Sequence, residues 1–256
     1  MFLQQAQSII LAFHQRQYHD LSLDVLRSLH LCVCKAYGIA VWWAVITADV
    51  WDSGATNQDE LAQLSCVRCN HDIFDGYRTQ KRLHPEQPLQ ELQDLRPSML
   101  GKTTKHALST KAAETGTLLG FCFDLVRRHG ARLGEQGPFL LAVGEALVSA
   151  RRVMAQCGPV MSMGECHQLC DHARRAFALR ADAGIPFTPK WHLFLHICHR
   201  AYWNGNPRSY STFVDEGFNG RLAAIVATCH RRTWHRRVLA GFRVAYTQQA
   251  KRAKRG

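Results

Sequence analysis

Residues 22–50 read SLDVLRSLHLCVCKAYGIAVWWAVITADV. Apolar side chains recur at Leu26, Leu29, Val33, Tyr37, Ala40 and Ala44. Steps of three and four put them on one face of a helix. Ser22 is a suitable N-cap, and Asp52-Ser53-Gly54 breaks the pattern just past Val50. His30 and Lys35 confine the uninterrupted apolar run to Ala36–Ala48, well short of the roughly 20 residues that span a bilayer. The stretch therefore predicts a buried core helix carrying Trp42 and Trp43, and no membrane partner.

The same period continues outward. Thr56 opens a second helix, with Asp59 and Glu60 in its first turn and a stripe of Leu61, Leu64, Val67, Ile73 and Phe74. Residues 84–101 contain Pro85, Pro88 and Pro97 and read as a loop crossing a surface. Thr110 opens a helix that runs to Arg128, and Gly130, Gly134 and Gly137-Pro138 punctuate the chain after it. Phe139–Met154 is strongly apolar, and Ser162-Met163-Gly164-Glu165 is a capping box. Gly184-Ile185-Pro186 and Pro189 mark a break before a helix over Lys190–Trp203. Asn204-Gly205-Asn206-Pro207 is a turn, followed by a long helix from Phe213 to Ala250.

No segment alternates as a strand does, so the predicted fold is mainly α without a substantial sheet. Residues 1–188 are expected to form a compact multi-helix body. Residues 189–256 are expected to add the Pro-Lys-Trp-His helix, the Gly-Asn-Pro turn and a long basic C-terminal helix, packed on that body.

Charge is unevenly distributed. The 256 residues carry a formal charge of +12. Residues 190–256 hold 13 Lys/Arg against Asp215 and Glu216 alone, a net of +11, whereas residues 1–189 net +1. Lys190, Arg221, Arg231, Arg232, Arg236, Arg237 and Arg243 belong to the basic part. Such a field draws a polyanion, and nucleic acid is the partner it suits best. The competing reading pairs these arginines with acids of the body such as Glu135 or Glu145.

Ten cysteines and a start, Met1-Phe2-Leu3-Gln4-Gln5, that lacks the basic-then-apolar pattern of a secretory signal predict reduced thiols in an intracellular protein. The nucleus is the compartment where a DNA partner would be met. Most cysteines fall inside apolar helical patterns, where they act as small hydrophobes.

Metal-ligand spacings occur twice. Cys66-x-x-Cys69-x-His71 resembles half a zinc site, and Cys166, His167, Cys170 and His172 could supply a second half. Packed cysteines are the alternative, since the first pair lies in a helical stripe and neither group has a tight-turn glycine. His192 and His196 are spaced to share one helix face, as zinc-binding helices require, without the adjacent Glu of a metalloprotease. A hydrogen-bonded histidine pair is the alternative there. No phosphate loop, dinucleotide fingerprint or nucleophile elbow occurs, and no small-molecule ligand is indicated.

Several segments together resemble one family. Pro189-Lys190-Trp191-His192-Leu193-Phe194-Leu195-His196, then Gly205-Asn206-Pro207, Tyr210-Ser211-Thr212-Phe213 and Asp215-Glu216-Gly217-Phe218-Asn219-Gly220, resemble the late region of KDZ and CACTA-like eukaryotic DDE transposases. Leu108–Thr115 resembles the family's L-K-x-x-[DE] helix, and Leu23–Arg27 with Leu29–Lys35 resembles its D-x-x-H and L-G-V-x-K segment. The order is kept over about 200 residues.

The resemblance implies catalytic roles for Asp24 and for Glu114 or Glu216, with Mg²⁺ as cofactor wherever a complete acidic site exists. Arg27 replaces the family His, Cys32 replaces the family Gly, and the family's two upstream aspartates have no counterpart in the residues before Asp24. The expectation is a truncated, transposase-derived protein without catalysis of its own, retaining nucleic-acid binding through its basic helix. The other two readings are the C-terminal part of an active Mg-dependent transposase and a zinc-stabilised helical scaffold.

Overall fold

The protein is described by a computed structural model covering residues 25–83, 85, 91–102, 105–211, 237 and 240. Of these, 74% are helical, as the helical periodicity predicts. Between residues 25 and 211, six longer helices follow one another among the described residues. α1 joins a π-helical half, Leu26–Cys34, to an α-helical half, Lys35–Thr47; α2 is Gln58–Leu83, α3 Ala112–His129, α4 Gln136–Gln156, α5 Met163–Leu179 and α6 Pro189–Asn204. The pairing among the described residues is one short antiparallel ladder, β1 (Gly101–Lys102) with β2 (Lys105–His106), Gly101 facing His106.

Contacts divide the chain into two units, Met1–Tyr210 and Ser211–Gly256. All six helices belong to the first. The division therefore falls after Tyr210, and the Pro-Lys-Trp-His helix is part of the body instead of opening a C-terminal module. Ser22, Asp24, Glu216, Arg221, Arg231, Arg232, Arg236 and Arg243, and nearly all of the helix predicted from Phe213, lie outside the described residues. Arg237 and Ala240 are described, and both are helical and exposed.

α1 is the core helix. Leu29, Val33, Tyr37, Val41, Trp42, Val45 and Ile46 are completely buried. A helix apolar around most of its circumference has to be enclosed by others, and α3, α4 and α6 enclose it. The window Ser28–Thr47 is long and apolar enough for a bilayer span, yet 67% of it is buried inside this fold. Trp42 stacks on Phe121 of α3 with ring centroids 5.7 Å apart.

The helix stops earlier than its apolar pattern. Asp49 and Asp52 take positive φ of 41° and 50°, and the Asp49 carboxylate accepts the Ser53 N–H at 3.0 Å. Short acidic side chains that bond locally tolerate this left-handed backbone. Arg132 clamps the corner, donating to the carbonyls of Val50 and Asp49 at 3.0 Å and to the Asp52 carboxylate at 2.7 Å.

Two starts differ from the expected ones by a residue. Asn57, not Thr56, caps α2 by accepting the Glu60 N–H at 2.9 Å, while the Glu60 carboxylate accepts from both the backbone and hydroxyl of Thr56. Lys111, not Thr110, precedes α3 because Glu114 reaches back to its N–H at 2.8 Å. The capping box at Ser162 forms as its sequence predicts, with Glu165 Oε2 2.6 Å from the Ser162 N.

In the proline-rich segment residues 91–96 are loop, as expected, with Gln93, Asp94 and Arg96 exposed, while Leu92, Leu95 and Leu100 are buried as its anchors. Asn70 of α2 accepts the Leu95 N–H at 2.8 Å and donates to its carbonyl at 3.0 Å. Tyr77 Oη accepts the Leu92 N–H at 3.0 Å, and Trp43 Nε1 donates to the Leu100 carbonyl at 3.1 Å. Side chains of α1 and α2 thus satisfy backbone groups of Leu92 and Leu95, which lie outside helix and strand, and of Leu100 at the end of the 3-10 turn Pro97–Leu100.

Candidate functional site

Three stretches that carry the family resemblance meet in space. The π-helical half of α1 packs against both α3 and α6, bringing Leu29–Lys35, Thr110–Thr115 and Pro189–His196 together. Cys32 Sγ lies 3.2 Å from Thr188 Oγ1, tying α1 to the start of α6. Trp191 and Phe194 are fully buried on the inner face of α6.

Behind this junction runs a polar seam. His30 is buried, and its ring lies against Gly116, where an added Cβ would sit 3.0 Å from Nδ1. Arg151 enters from α4 and donates through Nη1 to the Gly116 carbonyl. Burial lowers the pKa of the Arg151 guanidinium, opposed by neighbouring Cys34 and reinforced by Arg208. The Cys34 thiol is pushed up to about 12 by burial, with Arg151 acting against the shift. Lys35 falls below the ordinary lysine value through burial first; Glu114 opposes that fall and Lys190 adds to it.

Chemically the seam holds cations in a desolvated place and keeps Cys34 a thiol at neutral pH, so it supplies no thiolate nucleophile. The Glu114 carboxylate serves the start of α3: it accepts the Lys111 N–H and stands 3.9 Å from the Lys111 ammonium. An acid there also favours the positive end of the helix dipole. Lys190 is exposed in the first turn of α6.

The zinc-type groups separate. Cys66 and Cys69 face the core at 3% and 0% exposure, while His71 is exposed. Five residues on, His71 stands roughly 140° around the helix from Cys66, so the three cannot close on one ion without unwinding α2. Burial pushes the Cys66 thiol up to about 12 and raises Cys69 well above the ordinary value. Cys166 and Cys170 are likewise buried, whereas His167 is exposed and its Nδ1 is 2.8 Å from the Met163 carbonyl oxygen. No group of three or more His, Cys, Asp or Glu among the described residues is placed to hold a metal ion. The nine described cysteines form no disulfide among themselves.

His192 and His196 do come together. Their Nε2 atoms are hydrogen-bonded at 2.8 Å on the outer face of α6, one ring donating and the other accepting, with the rings at 89°. The pKa of His196 lies below the ordinary histidine value; burial is the largest cause, followed by His192, Arg200 and His199. His199 continues that face and meets Tyr202 and Trp203 edge-on.

The Gly-Asn-Pro turn is a latch. Gly205 has φ 72° and abuts the Pro159 backbone. Asn206 is buried and donates through Nδ2 to the carbonyls of Met154, Cys157 and Gly158 at 2.8, 3.0 and 3.2 Å, caring for the open C-terminal end of α4.

Arg151 and this role of Asn206 were not foreseen. Arg151 had a signal. It lies one helical turn beyond Leu147 on a face that also carries Met154, and both of these are buried, so one of the adjacent pair Arg151-Arg152 had to face inward. No family model, no curated protein and no solved structure matches the chain.

Proposed function

We propose that the chain is a non-catalytic nucleic-acid-binding protein of transposase origin, which holds its polyanion through the basic residues of its last quarter. The observation that carries this reading is the charge split: +11 over residues 190–256 against +1 before them. Several acids of the helical body have basic partners within it. Glu145 lies 3.2 Å from Arg175. Asp52, Asp72, Glu91 and Asp124 pair with Arg132, Arg128, Lys81 and Arg127. These surface pairs are individually weak, yet they put counter-charge beside those five acids.

The convergence of the three resembling segments around α1 also supports a transposase origin. The helix-capping position of Glu114 supports a structural role for that acid over a catalytic one.

The test is fluorescence anisotropy of the full chain with a mixed-sequence DNA duplex at several salt concentrations. Binding should be sequence-tolerant, and log K should fall linearly with log salt with a slope of about −0.9 per phosphate contact. The combined change Arg231→Glu, Arg232→Glu, Arg236→Glu and Arg237→Glu should abolish it. Binding that ignores salt, or none, would overturn the reading. Mg²⁺-dependent nicking lost in Glu114→Gln would overturn its non-catalytic part.

A further inference from the structure

We propose that His192 and His196 form a surface chelate for a divalent transition-metal ion that takes near-right-angle nitrogen ligands, Cu²⁺ or Ni²⁺ above all. The geometry is specific. Metal–imidazole bonds of about 2.0–2.1 Å drawn from two nitrogens this close enclose roughly 85–90°. That is the angle of adjacent positions in a tetragonal N,O site, which suits Cu²⁺ and Ni²⁺. A tetrahedral ion needs its two nitrogens about 3.3 Å apart. The observed separation is 2.8 Å, so Zn²⁺ would have to spread the pair.

Both rings belong to one α-helix and are exposed, so the hydrogen bond between them can give way to an ion, the donor ring moving its proton from Nε2 to Nδ1, without disturbing the core. Their backbone is fixed from behind. Trp191, Phe194 and Ile197 are buried beneath them, and Asn206 latches the end of the helix onto α4. Water would fill the remaining positions, as in any site with two protein ligands.

The test uses the full chain titrated with Cu²⁺, delivered as its glycine complex, and followed by calorimetry and electron paramagnetic resonance. The first equivalent should give an axial spectrum with two nitrogen couplings. His192→Gln and His196→Gln should each remove one coupling and weaken the binding at least about tenfold, since losing even a group behind a ligand costs 10–100-fold. Circular dichroism should show both variants folded, because neither side chain is in the core. His71→Gln and His167→Gln, exposed elsewhere, should leave the first equivalent unchanged. If that equivalent keeps its affinity and spectrum in either His192→Gln or His196→Gln, or if the unaltered chain takes up no copper, the chelate does not exist.

Discussion

α2 and α6 each carry metal-type ligands at helical spacing, and the fold treats them oppositely. On α2, Cys66 and Cys69 turn into the core and part from His71. On α6, the core takes Trp191, Phe194, Ile197 and Cys198, and the histidines are left outside with their Nε2 atoms 2.8 Å apart. Residue spacing alone does not distinguish the two cases. What separates them is which side chains on the same helix are more costly to leave in water. Tryptophan and phenylalanine outcompete histidine for the interior, while on α2 the thiols are among the best hydrophobes available.

The largest expected effect tests what seats α6. Trp191→Ala should destabilise the protein by about 3–5 kcal/mol, as measured by urea unfolding, because it empties a fully buried aromatic site. A loss below 1 kcal/mol would mean that the outer face of α6 does not depend on its inner face.

Next is the latch. Asn206→Ala leaves three carbonyls at the end of α4 without their donor and should cost about 1–3 kcal/mol. Asn206→Asp should not rescue it, since a carboxylate cannot donate.

Cys69→Ser sharpens the contrast directly. Burying a hydroxyl in a thiol's apolar site should cost about 1–3 kcal/mol, whereas His196→Gln on the exposed face should stay within about 0.5 kcal/mol at pH 7.5. A thiol probe at pH 8 should also leave Cys66 unmodified in the folded protein, because its thiol is held up at about 12 and the thiolate is the reactive form.

The smallest effect is a pH slope. His196 and His129 both have folded pKa values lowered from 6.5, each mainly by burial. For His196 the facing charges are His192, Arg200 and His199; for His129 they are Arg128 and Arg132, with Asp72 opposing. Below pH 6.5 the unfolded chain binds more protons than the folded one, so stability falls as pH drops from there toward the lower folded values. Melting temperatures between pH 5 and 7.5 should decline on the acid side, and less steeply in His196→Gln.

Much of the fold was legible in the sequence because it was encoded locally. The capping box at Ser162, the break at Gly205 and the period of α3 to α6 each depend on residues a few positions apart. Helix starts missed by one residue where a carboxylate, Glu60 or Glu114, reached back further than the nearest hydroxyl suggested. The buried anchors of the proline-rich loop were not legible because their partners, Asn70, Tyr77 and Trp43, are distant in sequence, and no local rule reports a side chain that satisfies a loop's backbone. Of the candidate site residues, Glu114 was visible as a helix-start acid. The seam of His30, Gly116 and Arg151 was not visible, since its members come from three helices.

The sequence by itself determined the helical class, the central position of the Leu26–Thr47 helix and the separation of a near-neutral body from a strongly basic last quarter. These follow from periodicity, hydropathy and charge, which need no knowledge of neighbours. Only the tertiary structure decided that the Cys-x-x-Cys of α2 is core and that Arg151 is swallowed against Gly116. It also decided that Asn206 closes α4 and that the face of α6 carrying His192 and His196 stays outside. Each of those outcomes depends on which surfaces of different helices meet, and packing sets that only when the whole chain is assembled.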